Sequence, residues 1–421
     1  MSETASAVST GTPSVQVDKM VGVGGGTFTL DKNDMRAVCV GACVLASGGG
    51  GSYQVSRKII QQGVAEDAVV TAVPYTALQD GAWAAVSANM GSPSALFQTT
   101  NPFAPANAFG ALEEWCAAQP DDSRFSGFSG FSAVVPVEVG AINSASPLTT
   151  AAQMNRVIVD ADGAGRSIPT LPLTQYARNI PLYPNVIASE SQPGQHFNTA
   201  QVNVPHEAGA ELAIIGLVLS TPFGGIAGLA IYPLQAMDWA AAPPVAGTLY
   251  DALRIGRAVQ QTEGPARAEA VVSYLTAERP DGPRAARIVF RGRITQMTQA
   301  EGGTDVGYIV LHGSAPDESA HVDLWIYNQN ENIFCQRSDQ SGPLIMGPDS
   351  LCYVPDTGDV FDNSDLWNLY QADPATIPEV SIVAIDAPGV VKDNAGLLQA
   401  WASERAQFGY SGPYVQPWLD A

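Results

Sequence analysis

Val157-Ile158-Val159-Asp160-Ala161-Asp162-Gly163-Ala164-Gly165-Arg166 places a run of β-branched residues directly before two carboxylates, two glycines and an arginine. Such a run reads as a short buried strand. In open α/β sheets ligands bind beyond the carboxyl ends of strands, which is where Asp160 and Asp162 then fall. Two residues apart, they share one strand face. The pair can bind a cation, share a proton or hold the N–H groups of a ligand, and Arg166 can clamp an anion with its forked guanidinium. The alternative is structural: Asp160 caps a turn and Arg166 neutralises Asp162.

Upstream the pattern recurs. Ala133-Val134-Val135-Pro136-Val137 delivers Glu138 and then Asn143 to the end of a strand. Desolvation raises the pKa of a carboxylate so placed, which suits a general base; the alternative is a cap on the following helix. Trp83 to Ser87 leads into the loop Asn89-Met90-Gly91-Ser92-Pro93, where Asn89 can hydrogen-bond a ligand carbonyl, and Val69 to Pro74 reads as a further strand. Helices are expected over 53–62, 107–118 and 148–155, so strand and helix alternate as a mostly parallel sheet requires. Asp31 and Asn33 offer caps to the apolar stretch Met35 to Ala46, which runs into Gly48-Gly49-Gly50-Gly51. Four glycines before a helix present closely spaced backbone N–H groups suited to an anion or a developing oxyanion, with a plain linker as the alternative. Their spacing fits neither GxGxxG nor a GK[ST]-ending loop, so no nucleotide cofactor follows.

Beyond about residue 200 the texture changes. Segments 213–220, 287–295, 305–311, 321–327 and 380–385 are strand-like and separated by Gly, Pro, Asn and Asp turns. One helix, Leu249 to Gln261 with Thr248 as its cap, interrupts them. Asn328-Gln329-Asn330-Glu331-Asn332 gathers amides and an acid at a strand end, read either as a turn or as a binding group carried by Asn330 and Glu331. The expected architecture is an α/β N-terminal domain with a mostly parallel sheet plus a β-rich C-terminal domain. Residues 1–30 form a disordered tail, 31–195 the α/β domain with the glycine run and the Asp-Ala-Asp-Gly motif, and 196–421 the β-rich domain.

A chain of 421 residues is long enough for two such domains, each with its own core. With 20 Lys and Arg against 41 Asp and Glu, its net charge of −21 repels phosphate backbones, so nucleic acid is not an expected partner. Charged residues make up only 14% of the chain, which suggests surface buried between subunits and hence a homo-oligomer. No window reaches the ~18 uncharged apolar residues of a membrane span, and the polar N-terminus resembles no targeting signal. Five scattered cysteines, none in a CxxC pair, indicate a reducing compartment, and the protein is expected in the cytoplasm. Cys43 is retained as a nucleophile candidate because it precedes the glycine run. The four histidines show no metal-binding spacing, so no metal is assigned, although Asp160 and Asp162, with Glu138, leave a divalent cation open.

Read in order, these segments resemble the S-methyl-thiohydantoin desulfurase family, which is associated with hydantoinase and oxoprolinase proteins. The resemblance is carried by Ala46-Ser47-Gly48-Gly49-Gly50-Gly51, Asn89 to Pro93, Glu138-Val139-Gly140 with Asn143-Ser144, and most specifically Val159 to Arg166. It continues through Ile255-Gly256-Arg257-Ala258, Gln329-Asn330-Glu331, Pro348-Asp349, Asp356-Thr357-Gly358 and Phe408-Gly409-Tyr410. Ala141 stands where the family has a second glycine, and Ser167-Ile168-Pro169-Thr170 where it has Ala-Phe-Pro-Glu. The resemblance implies a ligand at the domain junction and hydrolysis at a carbon–sulfur or carbon–nitrogen centre of a five-membered cyclic amide-like ring. On that basis Glu138 or the Asp160/Asp162 pair activates water, the N–H groups of Gly49 and Gly50, within Gly48 to Gly51, hold an oxyanion, and Asn89, Asn143 and Arg166 orient the ring. A non-catalytic binding or partner subunit of a hydantoinase-like assembly is the rival reading.

Overall fold

In a computed structural model of the protein, residues 26–91, 97, 100–177, 179–204, 206–277, 282–300 and 305–415 are described. Four short apolar strands, β2 (Val70–Val73), β3 (Trp83–Gly91), β4 (Phe131–Val135) and β5 (Val157–Val159), pair in parallel in the order β2-β5-β4-β3. Antiparallel partners extend both edges: β1 (Phe28–Leu30) beside β2, then β9 (Ile226–Gln235), β7 (Val186–Ala188) and β8 (Thr199–Gln201) beyond β3. β3 explains why these strands carry no polar alternation. Trp83 and Ala85 pack into the core on one face while Ala84, Val86 and Ala88 pack into the core on the other.

Helices Lys32–Leu45, Tyr53–Gly63, Ala104–Ala117, Ala141–Met154, Thr248–Gln260 and Ala266–Thr276 contribute to the first of these cores, and Glu207–Val218 to the second. A two-residue ladder joins β6 (Ala161–Asp162) to β10 (Val245–Ala246). The C-terminal domain is an antiparallel sheet of β11 (Ala286–Ala300), β12 (Val306–Ser314), β13 (Val322–Gln329), β14 (Glu331–Arg337), β15 (Ile345–Met346), β16 (Ser350–Pro355) and β17 (Val380–Ile385), in the order β15-β14-β13-β12-β11-β17-β16. It carries its own apolar core. The expected α/β plus β-rich architecture is the one found.

Several elements differ from the sequence reading. Residues 213–220, expected as a strand, lie mostly in helix Glu207–Val218, whose buried positions Ala210, Ile214 and Val218 recur every four residues. A short apolar run has no decisive period, and here the helical one prevails. Strand β9 was missed because Gly228 and Pro233 interrupt its apolar run; it lies beyond residue 195 in the chain and inside the first sheet. β1 pairs with β2 within the stretch expected as a tail, the rest of which, residues 1–25, lies outside the described residues, as do Ser92 and Pro93. Among the described residues no helix is long and apolar enough to cross a membrane.

Candidate active site

Where the two domains meet, a solvent-open cleft of about 1190 Å³ lies over the carboxyl ends of β3 and β4. Gly49 to Ser52, Asn89 and Glu138 line it from the N-terminal domain, and Asp305, Asn330, Glu331 and Asp362 from the C-terminal domain. Glu138 follows β4 and is 8% exposed. Asn143 Nδ2 donates to its Oε1 and the Ile168 N–H donates to its Oε2 at 2.6 Å. Helix Ala141–Met154 begins at Gly140, so Glu138 is not its cap.

Glu331 opens β14 immediately after Asn330, whose positive φ of 55° makes the tight reversal from β13. It is 4% exposed, and its Oε1 accepts the Gly50 N–H at 3.4 Å. Its Oε2 is buried without a hydrogen-bond partner. Burial, and then the Glu331 charge, push the Glu138 pKa well above the usual carboxylate range. Burial likewise raises that of Glu331, against the pull of Arg166 behind it. Burial and the neighbouring Glu331 carboxylate both disfavour the charged form of Glu138.

The glycine run makes this approach possible. A Cβ on Gly49 would stand 2.1 Å from Glu331 Oε1, and one on Gly50, at φ +72°, would stand 2.3 Å from the Gly140 Cα. The run is thus a close-packed joint between the domains. Two of its N–H groups are already engaged: Gly49 donates to the Ala46 carbonyl and Gly50 to Glu331. The start of helix Tyr53–Gly63 is occupied as well, since the Asp365 carboxylate accepts from Tyr53 N–H at 2.8 Å and Ser52 Oγ at 2.6 Å. The chain's own carboxylate therefore fills the anion position that the sequence suggested.

The Asp-Ala-Asp-Gly motif lies behind the cleft. After β5 the chain turns into β6, and Asp160 Oδ1 accepts from the N–H groups of Leu249 at 2.9 Å and Tyr250 at 3.1 Å. Asp160 thereby caps helix Thr248–Gln260, whose own preceding residue is Gly247; the expected Thr248 cap is corrected accordingly. Asp162 is fully buried, its Oδ1 accepting from Ala164 and Gly165 N–H at 2.6 Å, and burial pushes its pKa up to about 6. Arg166 does not neutralise the Asp162 carboxylate through a hydrogen bond; it donates to the backbone carbonyls of Ser167, Asp349 and Asn332. None of these three side chains lines the cleft. Among the described residues no three His, Cys, Asp or Glu side chains converge as metal ligands. Cys43 is buried in helix Lys32–Leu45, and burial raises its thiol pKa, so the reactive thiolate is disfavoured.

Asp160 as a cap gives a direct prediction. Asp160→Ala should lower the free energy of unfolding by about 1–2 kcal/mol, as removal of a helix cap does, whereas Asp160→Asn keeps an acceptor and most of that stability. Urea unfolding checks it; a loss of activity in folded Asp160→Asn would instead return this residue to the chemistry.

Asn89 lines the same cleft from the end of β3. Its Nδ2 donates to Ser146 Oγ at 2.9 Å and its Oδ1 is buried without a partner. Sequence reasoning missed Glu211, Asp305 and Asp362. Glu211 is two residues before an uncharged stretch misread as a strand, and Asp362 resembles an ordinary cap, which it also is, accepting from Asp365 N–H at 2.7 Å.

The N-terminal S-Me-THD-like domain model matches residues 33–198 and the C-terminal one residues 215–416. A crystal structure of a protein from Chromobacterium violaceum is similar over 92% of this chain and 99% of that one, with 29% identity and a TM-score of 0.75. No curated protein matches. Since the two domain models together cover nearly the whole described chain, and the cleft lies where they meet, the chain belongs to the S-methyl-thiohydantoin desulfurase-like family.

Proposed function

We propose that the cleft hydrolyses a five-membered cyclic thioimidate of the S-methyl-thiohydantoin class, with Glu138 and Glu331 as a proton-sharing acid and base. The observation that carries this reading is the buried Glu138/Glu331 pair, with Glu331 Oε2 left unpartnered. Adding water to the C=N carbon puts the developing charge on the ring nitrogen, so the reaction needs a proton donor there more than an oxyanion hole. One carboxyl gives its proton to that nitrogen while the other takes a proton from the attacking water, and the carbon–oxygen bond forms. The carbon–sulfur bond then breaks. Sulfur leaves as methanethiol with the proton returned by the second carboxyl, and the new hydroxyl surrenders its proton to the first as it becomes a carbonyl. Ring thioether plus water gives ring carbonyl plus thiol, and the pair returns to its starting state. Asn89 Oδ1 accepts from a ring N–H, and Asn143 is a positioning residue that fixes Glu138.

Purified protein given an S-methyl-thiohydantoin should release one methanethiol per ring, read with a thiol reagent, and leave a closed hydantoin. Ring opening without thiol release would move the chemistry to the carbon–nitrogen bond. No turnover of any such ring by the folded protein would favour the partner-subunit reading.

A further inference from the structure

One side chain holds Glu331 from both sides. Asn363 is the first residue of helix Asn363–Ala372 and is 3% exposed at the C-terminal wall of the cleft. Its Nδ2 donates to the Asn330 carbonyl at 2.7 Å and to Asn332 Oδ1 at 3.1 Å, so both protons of one amide go to the residues that flank Glu331 in the chain. Its backbone N–H donates to the Gly48 carbonyl at 2.7 Å, which ties the same residue to the glycine run whose Gly50 N–H meets Glu331 Oε1. The Tyr353 hydroxyl lies 2.9 Å from Asn332 Oδ1 and 3.0 Å from Asn363 Oδ1, bracing the two amides against each other. Asn332 is fixed further by its Nδ2, which donates to the Leu351 carbonyl at 2.9 Å.

Helix capping does not account for this amide, because Asp362 already caps the helix through Asp365 N–H. What its contacts share is Glu331. They fix the reversal at Asn330 before it, the start of β14 after it and the glycine run against which it packs. Building on the hydrolase reading above, we infer that Asn363 is a positioning residue that holds the Glu331 carboxyl in register with Glu138 across the domain joint. Its two amide protons are engaged within the protein, so its part in the reaction passes through Glu331. Proton transfer tolerates little displacement, and a misplacement of about 1 Å can cost about a hundredfold in rate.

The test is a double-variant cycle on an S-methyl-thiohydantoin. Asn363→Ala should lower kcat about a hundredfold while KM moves less than about threefold. In a Glu331→Gln background the same change should cost less than about threefold in single-turnover assays, because the group it positions is already gone. A packing role alone would lower the melting temperature in both backgrounds and leave kcat of the folded protein unchanged. Tyr353→Phe, which keeps the ring and removes only the hydroxyl, should lower kcat about fivefold in the wild-type background and leave Glu331→Gln unaffected. It carries the test if Asn363→Ala does not fold. An equal loss in both backgrounds, or a wild-type kcat in folded Asn363→Ala, would overturn the assignment. If the wild type turns over no such ring, the hydrolase reading fails by itself. The positioning is then read from the Glu331 carboxyl carbon in protein labelled with carbon-13 glutamate, assigned by its loss in Glu331→Gln. A moved resonance in Asn363→Ala keeps the tie between the two residues, and an unmoved one sinks it.

Discussion

Glu138→Gln should lower kcat/KM for an S-methyl-thiohydantoin about a thousandfold, within the range that loss of a general acid or base produces. The substitution keeps shape and packing. The Ile168 N–H retains an oxygen to donate to, and Asn143 can turn its amide to face the new NH₂ group, since either end of that side chain can point inward. What disappears is the capacity to share a proton with Glu331. Glu331→Gln should be as damaging, and the double variant little worse than either, because two groups acting as one unit do not add.

Stability should move the other way. An acid whose pKa is higher in the folded state than in the unfolded contributes its full stability below the unfolded value, about 4.3 for Glu, and loses it as pH rises through the folded one. Burial and the Glu331 charge put Glu138 in that class. Glu138→Gln should therefore melt at or above the wild-type temperature, with the gap widening from pH 5 to pH 8. Activity within tenfold of wild type in that folded variant would remove Glu138 from the mechanism, and a collapse of stability would make it structural.

The contrast between Glu138 and Asp160 shows how far the sequence could be read. Both follow apolar strands of a parallel sheet, and the rule that ligands gather at such strand ends applied equally to each. β4 lies between β5 and β3, next to the C-terminal domain's Glu331, whereas the chain leaves β5 through β6 toward β10 and takes Asp160 with it. That turn is set by the β6–β10 ladder and by a helix nearly ninety residues downstream, neither of which a local pattern can register. Glu331 was legible as an acid at a strand end, but its pairing with Glu138 crosses the domain joint. The glycine run was visible as a special backbone; only the packing shows that it clears space for a carboxylate instead of cradling an anion.

Arg166→Met should cost about 3–5 kcal/mol of stability, the amount typical of leaving one member of a buried ionic arrangement without its partner. The guanidinium is 1% exposed and lies over the Trp401 ring at 4.8 Å from its centroid. Its Nε serves the Ser167 carbonyl at 2.8 Å, while Nη1 and Nη2 reach Asp349 at 2.5 Å and Asn332 at 2.7 Å in the other domain. Desolvation lowers its pKa to about 10, still far above neutrality, so the charge is present at neutral pH. Methionine fills part of the volume but strands three buried carbonyls and removes a cation that opposes the Glu331 charge. The urea midpoint should fall, and Arg166→Lys, with one compact ammonium for three acceptors, should recover only part of the loss. A merely structural tie would end there. Because Arg166 holds the Asn332 carbonyl, one residue from Glu331, its loss should also lower kcat in the folded fraction and move the alkaline limb of the pH–rate profile upward, as Glu331 holds its proton more tightly. A destabilised variant with an unshifted profile would confine Arg166 to the domain joint. A shifted one would make the same three hydrogen bonds the means by which folding sets the proton affinity of the proposed Glu138/Glu331 pair.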